Sequence, residues 1–88
     1  MKKEISRIKY GDTEMTFRSA TFYLGKHNGR PCYILRVSDA RNKPDVFTVD
    51  EVIVTTKTGE KAVMQISISD LNTKDTVEYL VAGEPTFS

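Results

Sequence analysis

His27 and Cys32, the one histidine and the one cysteine of this chain, carry its most reactive side chains. A thiol and an imidazole are the minimum apparatus for nucleophilic catalysis, and the two groups need direct hydrogen-bond reach. The residues between them predict otherwise. With Asn28-Gly29 as a two-residue hairpin turn, His27 and Cys32 are diagonal neighbours on one face, roughly 7 Å apart between backbones. No third residue is placed to orient the imidazole. Cys32 reads as a small strand residue and His27 as a polar residue flanking the turn.

Other chemistry fares no better. A metal site needs several convergent ligands at workable spacing, which one His and one Cys do not supply. Lys57-Thr58-Gly59-Glu60-Lys61 has the letters of a phosphate loop without its spacing or its following helix. Asp50 and Glu51 are adjacent, so in a strand their carboxylates point to opposite faces and make a poor acid–base pair. No nucleophile elbow is present. The expectation is a protein that is not an enzyme and holds neither metal nor organic cofactor.

The elements that position these residues are set by turns. Asn28-Gly29 is a type I′ signature, because both central positions need φ > 0. Counting outward pairs His27 with Arg30, Leu24 with Tyr33, Phe22 with Leu35 and Ala20 with Val37. The last three pairs are apolar and form one core face, which a one-residue slip would destroy. Gly11-Asp12 has glycine where a type II′ turn requires it, and pairs Lys9 with Glu14 and Ile8 with Met15. Lys57-Thr58-Gly59 is a three-residue loop that sets Val54 against Ala62 and Val52 against Met64.

Between the first two turns the apolar residues change phase. Met15 and Phe17 share one parity, while Ala20, Phe22 and Leu24 share the other, so a bulge or sharp bend near Arg18-Ser19 is expected. Near the C-terminus, Asn72 or Thr73 could cap a helix ending before Gly83, with Val77, Leu80 and Val81 as its apolar stripe. The same residues also alternate as a strand, and helix is the preferred reading. The expected fold is mainly β: five antiparallel strands near 4–10, 13–26, 31–38, 46–57 and 60–69, then a short helix near 73–82. The sheet would curl or close into a small SH3-like barrel, and residues 1–88 form a single domain.

Composition agrees with that scale. At 88 residues, 39% hydrophobic and 28% charged, this is an ordinary soluble globular domain with one small core. No apolar stretch follows Lys2-Lys3 as a signal peptide would require. The longest apolar run, 79–82, is far short of the roughly 20 residues of a membrane helix. With one cysteine there is no internal disulfide, so the expected compartment is the cytoplasm.

Net charge is only +1, yet it is lopsided. Residues 1–36 hold eight Lys/Arg against three acids, a balance of +5; residues 37–88 hold five against nine, a balance of −4. Such a molecule could steer an acidic partner to one side, unless its halves pack together and neutralise each other. Thr21, Tyr23, His27, Arg30, Ile34 and Arg36 share the hairpin face opposite the core residues. Aromatic, aliphatic and arginine groups together are what protein interfaces enrich. The same face could instead be a pad for another element of the fold.

The functional expectation is a small non-catalytic binding module. It engages an acidic or mixed surface on another protein through Tyr23, His27, Arg30, Ile34 and Arg36, with Tyr23, Arg30 and Arg36 as anchors. The alternative is a single-stranded nucleic-acid binder using the same basic-aromatic face, which the small net charge disfavours. Neither reading involves a membrane, and pairing of edges or faces with a second copy makes a homodimer a further expectation.

Overall fold

Three reversals set the architecture. In the computed structural model, which describes residues 2–44, 50–68 and 75–88, both Asn28 (φ 53°) and Gly29 (φ 77°) are left-handed. They join β3 (Ser19–His27) to β4 (Arg30–Ser38) in the expected register, from His27 opposite Arg30 to Ala20 opposite Val37. Gly11 (φ 55°) turns β1 (Lys2–Tyr10) into β2 (Thr13–Met15), with Lys9 opposite Glu14. Gly59 (φ 93°) closes the loop between β5 (Glu51–Thr56) and β6 (Lys61–Ile68), where the Thr56 N–H donates to the Glu60 carbonyl at 2.8 Å.

The expected strand over 13–26 is two strands, β2 and β3, on the same edge of β1. From Ile8 to Ile5 is three steps along β1, while the partners run five steps from Met15 to Ala20. The excess is looped out: Thr16 leaves the ladder and exchanges main-chain hydrogen bonds with Arg41, and the Arg18 N–H donates to Ser38 at 3.0 Å. Met15 and Ala20, of opposite parity, are thereby both buried. β1 makes a matching adjustment towards β5, where the register shifts between Ile5 and Arg7. Ile5 and Ile8, three apart, then both face inward.

The expected helix near 73–82 is not there. Residues 76–81 form β7 (Thr76–Val81), inserted between β4 and β6; 73 and 74 lie outside the described residues. The burial decides the period: Val77, Tyr79 and Val81 are buried, whereas Leu80 of the supposed helical stripe points outward. Val, Thr and Tyr suit a pleated surface, and β4 and β6 each offer an edge that only a strand satisfies. The strands expected near 46–57 and 60–69 are described as Glu51–Thr56 and Lys61–Ile68, and 46–49 and 69 lie outside the described residues.

The sheet order is β2-β1-β3-β4-β7-β6-β5, and β5 also pairs with β1. Six strands therefore close into an antiparallel barrel. β5 returns beside β1 after the meander β1-β3-β4, which is a Greek-key connection. Closure takes away the sheet edges that an open curled sheet would expose. The barrel also divides by origin. Arc β1–β3–β4 comes almost entirely from the basic part of the chain, and arc β7–β6–β5 from the acidic part. Opposite charges meet across the boundary at Lys3–Glu60 (3.3 Å), while Arg18–Asp39 (2.7 Å) joins the residues that flank the last β3–β4 pair.

One barrel end is closed by aromatic rings. Phe22 is fully buried, stacked on Tyr33 at 5.4 Å between centroids and met edge-on by Phe87 at 5.5 Å. The tail holds Phe87 there, because Ser88 and Lys61 exchange two main-chain hydrogen bonds of 3.0 Å. The Lys3 ammonium sits 4.9 Å from the Phe87 centroid. Leu24 corrects the expected core face. It is opposite Tyr33 as predicted, but it is 48% exposed. Leu24 follows Tyr23, which is opposite Lys2, towards the ribbon tip.

Candidate partner-binding face on the β3–β4 ribbon

Strand alternation puts Thr21, Tyr23, Gly25 and His27 of β3 on the outside of the barrel, with Arg30, Cys32, Ile34 and Arg36 of β4 beside them. The ladder pairs Tyr23 with Ile34 and Thr21 with Arg36, and continues to β7 with Leu80 and Glu78. The Tyr23 hydroxyl donates to Glu78 Oε2 at 2.9 Å. Reaching β7 from β3 takes the ring across β4, over Ile34.

Gly25 makes room for this arrangement. A Cβ there would lie 2.8 Å from Ile34 Cδ1 and 2.9 Å from Tyr23 Cε2. Its φ is not left-handed, so the requirement is space and not backbone freedom. Burial, then the hydrogen bond and charge of Glu78, push the Tyr23 phenol above its ordinary range, with Arg36 opposing. At neutral pH the phenol therefore keeps its proton and donates.

The five expected contact residues do not form one cluster. Ile34 is 4% exposed and cannot be touched from outside; its expected role as a contact is corrected to a floor beneath Tyr23. Arg30 and Arg36 are both exposed, but six strand residues set them about 20 Å apart. Arg30 and half-buried His27 belong to the ribbon tip, beyond the barrel. Tyr23 and Arg36 instead line an open depression of about 460 Å³ together with Lys2, Thr21 and Leu24.

Among the described residues no three His, Cys, Asp or Glu side chains gather as metal ligands, and no helix is long and apolar enough to cross a membrane. Cys32 carries a free, half-buried thiol opposite Gly25. No family model matches this chain, and no curated protein or solved structure is significantly similar to it. The site has only its own geometry to speak for it.

Lys2, Leu24 and Glu78 are the members that sequence reasoning missed. Lys2 reaches Tyr23 only because of the residues looped out after Met15, and the phase change between Met15 and Ala20 was their one local signal. Glu78 depended on residues 76–81 being a strand. Leu24 was assigned to the core from its pairing with Tyr33, and the pairing alone does not give its exposure.

Proposed function

We propose that this protein is a non-catalytic binding module that takes an acidic or mixed surface of another protein onto the outer face of β3–β4. The depression between Lys2, Tyr23, Leu24 and Arg36 carries the proposal. It offers an aromatic ring between two cations, with Leu24 at its rim, and among the described residues neither cation is in an ion pair. Tyr23 is already held by Glu78 and packed over Gly25 and Ile34, so binding loses little of its rotamer freedom. The basic arc of the barrel surrounds it and steers an acidic surface towards it.

Single-stranded nucleic acid is the second reading, favoured by that basic arc. The face itself counts against it. Glu4 stands opposite Thr21 and Glu78 opposite Arg36, so a phosphate chain crossing this row would meet a carboxylate at each end. Tyr23 lies across the sheet with its hydroxyl tied down, which suits a stacked base poorly. A protein surface of mixed charge meets neither difficulty.

Affinity capture from the source cells with crosslinking tests this. The wild-type chain is expected to retain a partner that Arg36→Glu and Tyr23→Ala each lose, at least tenfold in affinity or about 1.4 kcal/mol. Lys61→Glu, on β6 and outside this depression, is expected to keep it. A partner held equally by all four proteins places the interface elsewhere. Oligonucleotide binding that collapses between about 50 and 200 mM salt replaces the proposal with the nucleic-acid reading.

A further inference from the structure

Where β1 lies against β5 it carries one residue too many. Ile5 is opposite Thr56 and Arg7 is opposite Thr55, so Ser6 is bulged out between them. The Ser6 hydroxyl fastens the bulge, donating to the Thr55 and Thr56 carbonyls, each at 3.1 Å. A bulge re-aims the side chain beside it. This one sets Arg7 outward in the row of Thr55, and Thr55 is in turn opposite Lys61 of β6. The next row along the strands holds Lys9 opposite Ile53, and Ile53 opposite Val63. Apart from Val63, the two rows line an open depression of about 480 Å³, together with Asp12 and Glu14.

Both carboxylates come from the β1–β2 turn and β2, on the edge of β1 away from β5. Arg7 Nε donates to Glu14 Oε1 at 2.7 Å, and Arg7, with a smaller contribution from Lys9, holds that carboxylate below its usual range. The pair occupies Nε and leaves the Nη donors of Arg7. Among the described residues Lys61 is in no ion pair, and the half-buried Thr55 hydroxyl has no hydrogen-bond partner. Arg7 and Lys61 flank Thr55 from strands about 10 Å apart, a span that two long side chains close onto one anion. A phosphate monoester matches this seat. It brings close to two negative charges for two cations, and three oxygens for the guanidinium, hydroxyl and ammonium donors. Ile53, 44% exposed in the next row, offers apolar surface to the group that the phosphate carries. We infer that the β1–β5–β6 depression binds a small organic phosphate monoester with an aliphatic body. It shares no lining residue with the Tyr23–Arg36 depression.

Nitrogen-15 NMR titration with n-butyl phosphate at constant ionic strength tests this. Saturable amide shifts are expected at Arg7, Ile53, Thr55 and Lys61, with a Kd on the order of 1 mM. Inorganic phosphate should bind about tenfold more weakly for want of the apolar contact. Pentanoate, with a single charge, should bind about fivefold more weakly. Arg7→Gln and Lys61→Gln should each weaken butyl phosphate about fivefold, and Ile53→Ser should bring it to the level of inorganic phosphate. Circular dichroism and melting report folding; should a variant not fold, the comparison of ligands on the wild-type chain carries the test. No shift by about 20 mM overturns the inference. So do the same shifts from sodium chloride at equal ionic strength, or folded Arg7 and Lys61 variants that bind as the wild type does. Equal binding of butyl phosphate with either inorganic phosphate or pentanoate overturns it as well. Arg36→Glu leaves this site intact, which separates its failure from that of the partner-binding proposal.

Discussion

Phe22→Ala is expected to lower the free energy of unfolding by about 3–5 kcal/mol, the range for a fully buried phenylalanine. A domain of this size holds about 5–10 kcal/mol in all, so the variant should sit near its threshold at 25 °C. The loss extends beyond one side chain. Phe22 is where Tyr33 stacks and where Phe87 makes its edge contact. Without it the tail loses its apolar anchor and keeps chiefly the Ser88–Lys61 hydrogen bonds and the Lys3 contact. Phe87→Ala, at a half-buried position, should cost about 1–2 kcal/mol. Because the two rings touch, the double variant should lose less than the sum of the single losses. Urea titrations of the three proteins check this. A Phe22→Ala loss below about 1.5 kcal/mol would mean that the aromatic closure contributes little.

Alkaline pH should destabilise the fold through Tyr79. Its side chain is 1% exposed, and burial, with a smaller contribution from Tyr10, pushes its phenol from 10.0 up to about 12. Below pH 10 the phenol is protonated in both folded and unfolded chains and stability is unaffected. As pH climbs from 10 to 12 the unfolded chain releases this proton while the folded chain retains it, so the unfolded state gains. Stability therefore falls with rising pH, by about 2–3 kcal/mol once both states are ionised. Tyr23, raised by burial and by Glu78, acts in the same direction. Urea midpoints at about pH 9, 10, 11 and 12 read the slope directly. Tyr79→Phe supplies the control: its alkaline loss should be smaller than that of the wild type by about 2 kcal/mol. Equal slopes for the two proteins would refute the assignment.

Local turn chemistry made much of the sheet legible. Asn28-Gly29, Gly11-Asp12 and Lys57-Thr58-Gly59 each fix a register within a few residues, and the pairings they imply are those of the structure. The interruption between Met15 and Ala20 was also visible, as a change of phase. Barrel closure was not, because the pairing of β1 with β5 joins residues nearly fifty apart and leaves no local mark. β7 was ambiguous for a physical reason. Val77, Leu80 and Val81 fit a helical stripe, and Val77, Tyr79 and Val81 fit a strand, so only the open edges of β4 and β6 choose between them. At the candidate site, alternation correctly put Tyr23, His27, Arg30, Ile34 and Arg36 on one face. It could not show that Tyr23 folds over Ile34, since that depends on Gly25 leaving space and on Glu78 two strands away.

The closed barrel, with a basic arc and a preformed aromatic–cationic depression, leads to one central claim: the outer face of β3–β4 receives a protein partner. Nitrogen-15 NMR of the labelled chain, titrated with the partner recovered by capture, tests that claim most directly. Backbone amide shifts are expected to move at Lys2, Thr21, Tyr23, Leu24 and Arg36, with the outer face of β5–β6 unmoved. Shifts confined to β5–β6 or to the aromatic barrel end, with Tyr23 and Arg36 unchanged, would contradict it.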